Sequence, residues 1–195
     1  MKSRFAMALV FVWMGIESTG LQAQTSPWTI DTNHSSISFQ VRQGGVRTVH
    51  GSIEGVKGTV MLDEKDITKS SVSATMETST VFTGSEARDK DLKGPNFFDV
   101  ANNPQLVFKS TAITKTGGKL KLIGDLTING VTKSVTLDLD GPSAPVKNAR
   151  EIMTSGFSAT GVIQRKDFAF GTKSMASPMI GEEIKFTVDV EIDKK

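Results

Sequence analysis

His34 and His50 are the only imidazoles in the chain, which also lacks Cys and Tyr. Metal or nucleophilic chemistry would therefore have to be built around one histidine from carboxylates, hydroxyls or thioethers. Asp31, His34 and Ser35 have the residue types of a hydrolytic triad, but positions i, i+3 and i+4 on a chain entering a strand do not align orienting acid, base and nucleophile. Their expected role is local, with His34 and Ser35 fixing the start of a strand by hydrogen bonds. Met153, Met175 and Met179 fall in two late loops. Thioether sets bind Cu(I), but no His accompanies the Met175 to Met179 spacing, and adaptable packing at a pocket wall is the better use. No phosphate loop, dinucleotide fingerprint or metalloprotease motif occurs. No catalytic residue, metal site or cofactor is assigned.

Arg88 and Asp89 are the remaining pair with chemical reach. A guanidinium at a cavity mouth could meet a phosphate or a quinone oxygen, and the plainer expectation is an ion pair tying a helix to the fold. They lie in the one stretch that stops alternating like a strand, SEARDKDLKGPNFFDVANNPQLVFKS from Ser85 to Ser110. Ser85, or Thr83 with Glu86 as a capping box, can start a short helix there, with Glu86 facing Lys90 at i, i+4. Gly94-Pro95 ends it, Phe97-Phe98 follow as an aromatic plug, and Asn103-Pro104 sends the chain into an extended run.

Strands must position these groups. Two-residue alternation defines about nine of them: around Ile37–Val41, Val49–Ile53 running on toward Val56, Val60–Leu62, Val72–Met76, Leu106–Thr111, Leu120–Ile128, Val135–Leu139, Phe157–Ile163 and Ile184–Ile192. Turns are marked by Gly44-Gly45, Gly117-Gly118 and above all Asn129-Gly130, the pair best suited to the positive φ angles of a type I′ hairpin. Antiparallel strands with one apolar face must close as a barrel or pair as a sandwich. The apolar parity includes Gly51, Gly58, Ala74, Gly124, Ala159 and Gly161; small inward residues favour a hollow barrel of about eight strands.

Composition sets the class. The chain has 195 residues, 37% of them hydrophobic, and a net charge of +2, which is one ordinary globular domain with no nucleic-acid footprint. Lys2 and Arg4 precede an apolar run from Phe5 to Ile16, too short to span a bilayer, and small or polar residues follow to Ala23. Residues 1–23 therefore read as a secretory leader, with cleavage after Gly20 as the alternative, and 24–195 as the domain. Removing Lys2, Arg4 and Glu17 from 23 basic and 21 acidic residues leaves 21 and 20, a net charge of +1. Without Cys there is neither a lipid-modified residue after the leader nor a disulfide to aid folding.

Several segments together resemble the YceI-like family of bacterial polyisoprenoid-binding proteins. They are Trp28-Thr29-Ile30-Asp31 with His34-Ser35-Ser36-Ile37-Ser38-Phe39, Arg88-Asp89, Leu92, Phe97-Phe98-Asp99, Pro104, Phe108-Lys109-Ser110, Gly124 through Lys133, and Arg165-Lys166-Asp167-Phe168. Three positions depart from the family pattern, which has His at Asp91, Ser or a similar residue at Gly94, and Asp at Asn96. The resemblance implies an elongated, lipocalin-like, all-β antiparallel barrel with a short helical insertion near residues 85–100. It also implies a periplasmic carrier that holds a polyprenyl lipid or isoprenoid quinone in an apolar cavity. On that reading the wall contacts are Phe39, Met76, Phe97, Phe98, Phe108, Leu126, Phe157, Ile163, Phe168 and Phe186, and the polar contacts at the mouth are His34, Arg88 and Asp89. Nucleic acid is not an expected partner, while transient membrane contact and a homodimer stay open. The alternatives are an envelope stress or interaction protein with a solid barrel and, behind it, an isoprenoid-modifying enzyme, which lacks a convergent nucleophile and base.

Sequencing the N-terminus of protein recovered from the cell envelope should find a chain that starts near Gln24. An intact Met1 would contradict export with cleavage.

Overall fold

The computed structural model describes residues 25–194, so the expected leader lies outside the described residues. Eleven strands form one sheet: β1 (Ser26–Ile30), β2 (Ser36–Gln43), β3 (Arg47–Ile53), β4 (Lys57–Leu62), β5 (Ser71–Glu77), β6 (Gln105–Thr116), β7 (Lys119–Ile128), β8 (Val131–Asp140), β9 (Val146–Lys147), β10 (Met153–Gln164) and β11 (Ile180–Lys194). Among the described residues one α-helix, α1 (Glu86–Lys93), lies between β5 and β6. The order β11-β1-β4-β5-β6-β7-β8-β10, with β10 returning to β11, closes an eight-stranded antiparallel barrel. The hairpin β2–β3 extends the wall, because β2 pairs with the first part of β11 and β1 with its last three residues. At about 3.3 Å per residue the 15 residues of β11 run about 50 Å, so the barrel is elongated.

Every strand expected from alternation is present, β3 stopping at Ile53 short of Val56. Two escape the pattern. β1 has five residues with Pro27 among them, and β9 only two, too few for a period to show. Met153, expected in a loop, opens β10 opposite Lys147. The apolar parity points inward along every long strand, with Ile37, Ile53, Val72, Met76, Leu106, Phe108, Leu122, Leu126, Leu137, Ala159 and Ile163 all buried. Ser38, Lys109, Asp125, Thr160 and Lys185, of the other parity, are exposed. That is the reverse of a membrane-spanning barrel, which turns its apolar face to lipid. No helix among the described residues is long and apolar enough to cross a membrane.

One end of the barrel is packed solid. Trp28, Val60, Leu62 and Ile192 are at most 2% exposed there, and the Lys194 ammonium lies 5.4 Å from the centre of the Trp28 ring. Just above this plug the chain leaves β1 for β2 through a short 3₁₀ turn, and Asp31, His34 and Ser35 hold that turn. The Asp31 carboxylate accepts from the Asn33 N–H at 2.8 Å and meets His34 Nδ1 at 3.0 Å, while Glu191 reaches the same nitrogen at 3.6 Å. Ser35 turns away from His34 and accepts instead from the Glu191 N–H at 3.1 Å. The three residues pin a strand start, as their spacing implied. The hydrogen bond to Asp31 and the charges of Asp31 and Glu191 raise the His34 pKa; the same bond and the Asn33 N–H lower that of Asp31.

Two outcomes follow. Asn129 and Gly130 have φ of 51° and 73°, and Ile128 pairs with Val131 across them. Gly130→Val places a β-branched residue in the left-handed region and should cost about 1–3 kcal/mol in chemical denaturation; an unchanged midpoint would contradict the turn. His34 is raised in the folded state, so its contribution is complete below its unfolded pKa of about 6.5 and lost as pH rises through the folded value. Asp31 adds the opposite limb, present above its unfolded pKa and lost as pH falls through its lowered folded one. The melting temperature should therefore decline modestly on the alkaline side, and His34→Gln should flatten that decline. Identical profiles for the two proteins would contradict the linkage.

Candidate functional site: an apolar cavity closed by two excursions

Beyond the plug the barrel is hollow. A cavity of about 410 Å³ runs from Ile30, Ile128 and Val190 toward the β2–β3 hairpin, within the range of pockets that take small-molecule ligands. Its walls are almost wholly apolar. All ten residues expected as wall contacts line it: Phe39, Met76, Phe97, Phe98, Phe108, Leu126, Phe157, Ile163, Phe168 and Phe186.

The inward glycines act differently from the simple expectation that small residues leave space. A Cβ on Gly51 would come within 2.4 Å of the Phe39 ring, one on Gly124 within 2.5 Å of the Phe108 ring, and one on Gly161 within 2.9 Å of the Phe186 ring and 2.5 Å of Leu137. Each phenyl ring therefore lies against a bare stretch of the neighbouring strand. The rings press into the wall instead of crossing the barrel, and the axis stays open between them. Gly58 works otherwise, since a Cβ there would meet the Ser73 carbonyl at 2.1 Å, a close approach of two backbones.

At the mouth the wall divides. The outer edge of β3 finds no strand partner there and bonds instead to Phe82, Ser52 N–H to Phe82 O at 2.8 Å and Phe82 N–H to Ser52 O at 3.0 Å. Two chain excursions complete the enclosure, residues 78–104 carrying α1 and residues 165–179 joining β10 to β11. They meet through aromatics: Phe170 packs edge-on against Phe97 and Phe98, with ring centres 5.4 and 4.7 Å apart. A backbone bond from Gly171 N–H to Asn96 O, 2.8 Å, sits beside this cluster. Gly171 has φ of 67°, and a Cβ would strike the Phe97 ring at 2.6 Å, so both backbone and space call for glycine.

Arg165 holds the second excursion. It is 1% exposed, yet its guanidinium donates to the carbonyls of Gly181, Phe170, Ser177 and Ile180, to the Ser177 hydroxyl, and to Glu182 Oε1 at 3.0 Å. A cation this deep is tolerable only when nearly every N–H has an acceptor. Sequence reasoning placed Arg165 in a family element but assigned it no role. The signal available was the following Phe168, at 1% exposure the inward residue of the same turn.

The polar residues divide. Arg88 lines the cavity together with Thr83, Ser85 and Asp91. It forms no ion pair with Asp89: Arg88 Nε donates to the Thr83 hydroxyl at 2.7 Å, a terminal nitrogen donates to the Thr83 carbonyl at 2.8 Å, and the Thr83 hydroxyl donates to Asp89 at 2.5 Å. Thr83 thus relays between the two charges, and Asp89 faces this relay instead of the cavity. Ser85 stands at the helix N-cap, as one of the two expected starts had it, but makes no side-chain bond to the helix. His34 is corrected outright, since it sits beside the packed end, away from the mouth. Of the departures from the family pattern, Asp91 lines the mouth, Gly94 ends α1 with its N–H on the Asp91 carbonyl at 3.0 Å, and Asn96 supplies its carbonyl to Gly171.

Three comparisons bear on this geometry. The YceI-like domain model matches residues 28–192. Protein YceI from Salmonella agona (strain SL483) is 32% identical over 187 residues, covering 94% of this chain and 95% of its own. The crystal structure of the Campylobacter jejuni YCEI protein superposes with a TM-score of 0.68 at 26% identity, covering 77% of this chain and 87% of that one. A polyisoprenoid binding domain from Saccharophagus degradans, implicated in plant cell wall breakdown, matches with a TM-score of 0.65 and covers 86% of this chain and 98% of that one. Its identity of 11% makes it a likeness of fold alone. The matched domain model, the identity to curated YceI proteins and the shared fold together place the chain in the YceI-like family.

Proposed function

We propose that the barrel binds a long apolar chain, a polyisoprenoid or an isoprenoid quinone, and carries it through the periplasm after export without chemically altering it. The observation that carries this reading is the shape and chemistry of the cavity: closed at the Trp28 end, open at the other, and walled by rings seated against glycines. Such walls offer broad apolar contact and ask no hydrogen bond of the ligand. A polar head would stay at the mouth, where Arg88 is the available cation and Thr83, Ser85 and Asp91 the neutral and acidic neighbours. The hollow also tells against a solid interaction barrel.

The energetics suit retention. Burying about 800 Å² of ligand surface at roughly 25 cal/mol per Å² gives a gross gain of about 20 kcal/mol. Ordering a flexible chain takes back much of it, leaving affinities from micromolar to nanomolar. The Saccharophagus degradans barrel of the same fold is a polyisoprenoid binding domain, the ligand class proposed here.

Organic extraction of the native protein followed by lipid mass spectrometry should recover an isoprenoid lipid in near-stoichiometric amount. Gly161→Leu should reduce that yield at least about tenfold, because its side chain must displace Phe186 and Leu137 toward the axis, and the atoms it meets belong to movable side chains. Gly124→Leu is the poorer test, since a Cβ there also meets the Lys109 carbonyl at 2.6 Å. Wild-type protein without extractable lipid, or Gly161→Leu retaining a full load while melting normally, would overturn the reading.

A further inference from the structure

Around the open mouth, large apolar side chains stand in water. Val46 is 84% exposed at the tip of the β2–β3 hairpin, and Met175 and Met179 are 99% and 56% exposed in the excursion from β10 to β11. They belong to one rim. Gly44 N–H bonds to the Met179 carbonyl at 2.7 Å, Gln43 pairs with Ile180, and the Met179 methyl lies 3.0 Å from where a Gly44 side chain would begin. Gln43, Ser174, Ala176 and Ile180 of the same two segments line the cavity opening, so the exposed patch runs into the apolar interior.

The charge of this rim has one sign. Residues 42–48 and 169–181 contain Arg42, Arg47 and Lys173 and no Asp or Glu, while Asp167, Glu182 and Glu183 bracket the second stretch, with Glu182 paired to Arg165 and Lys166. Arg42 donates to the Gly45 carbonyl and the Thr48 hydroxyl, and Arg47 to the Gln43 side-chain oxygen, all neutral acceptors, so the positive charges remain uncompensated within the rim. On the far side of the mouth α1 is balanced, with Glu86, Asp89 and Asp91 against Arg88, Lys90 and Lys93.

We propose that this rim docks on an anionic phospholipid bilayer and holds the mouth of the barrel against the membrane. The inference rests on the reading that the cavity takes a lipid chain, since such a chain could then pass between bilayer and barrel without crossing water. Projecting apolar side chains flanked by cations are what an interfacial contact needs: the first enter the acyl boundary and the second meet lipid phosphates. The balanced charge of α1 tilts the contact toward the hairpin side.

The test is flotation with vesicles of phosphatidylethanolamine containing about 30% phosphatidylglycerol, compared with phosphatidylcholine alone, at low and high salt. All variants share one N-terminus, so differences between them read the rim. Wild-type protein should float with the anionic vesicles and be released by salt. The double variant Val46→Asp with Met175→Asp should lower the bound fraction about tenfold, and Lys173→Glu should lower it about fivefold at low salt while weakening the salt response. Both should melt as wild type does, because Val46, Met175 and Lys173 are exposed and bury little. Equal flotation of wild type and double variant, or no flotation of wild type, would overturn the proposal. Lipid extracted from the same preparations reads the cargo separately: flotation without cargo sinks the carrier reading and leaves docking standing, while cargo without flotation does the reverse.

Discussion

The architecture depends on how one strand shares its edge. β11 offers a single row of backbone groups to two successive strands, taking β1 over its last residues and β2 over its first. Because β1 goes on to β4 while β2 turns back into β3, the wall must open between β3 and β5 as it rises from the packed end. Unpaired strand edges and a gap over an apolar interior are both costly. The 78–104 excursion answers both, giving β3 a backbone partner at Phe82 and setting Phe97 and Phe98 over the opening. The mouth, with Arg88 beside it, is thus a consequence of how the barrel closes. The 3₁₀ turn of Asp31, His34 and Ser35, anchored on Glu191, marks where the division starts.

A hollow barrel forgoes contacts that a filled one would make, so something else must hold its walls. Here the work is divided along the axis. The closed end is packed around Trp28 and Ile192. In the hollow part, rings seated against Gly51, Gly124 and Gly161 cover strand backbone that would otherwise face an empty space. At the mouth, Arg165 binds carbonyls from residues 170–181 and gives the second excursion a fixed shape, against which Phe170 and Phe97 can pack. Rigid ends with an open middle suit a protein whose apolar interior is completed by a ligand.

Much of this was legible in the chain. Period-two alternation assigns a face to each residue, so parity sets Phe39, Phe108, Leu126 and Phe186 on the inward face, and the family resemblance makes that face a cavity wall. Asn129-Gly130 fixed a turn by its own backbone preferences. What stayed hidden depends on partners distant in sequence. The burial of Arg165 follows from carbonyls of the loop that ends at Gly181, and nothing in Arg165-Lys166-Asp167 signals it. His34 was misplaced because the start of a strand does not say which end of a barrel it occupies. Arg88 and Asp89 looked like an ion pair, yet Thr83, a few residues upstream, took both. The glycines were read as empty space, when the ring on the neighbouring strand decides what fills it.

The central claim, that the barrel is completed by an apolar chain lying along its axis, is tested most directly by native mass spectrometry of the protein as purified from the cell. A mass above that of the polypeptide is expected, lost as an intact lipid under collisional activation and absent after denaturation. A single species at the polypeptide mass alone, from protein never exposed to detergent or organic solvent, would contradict it.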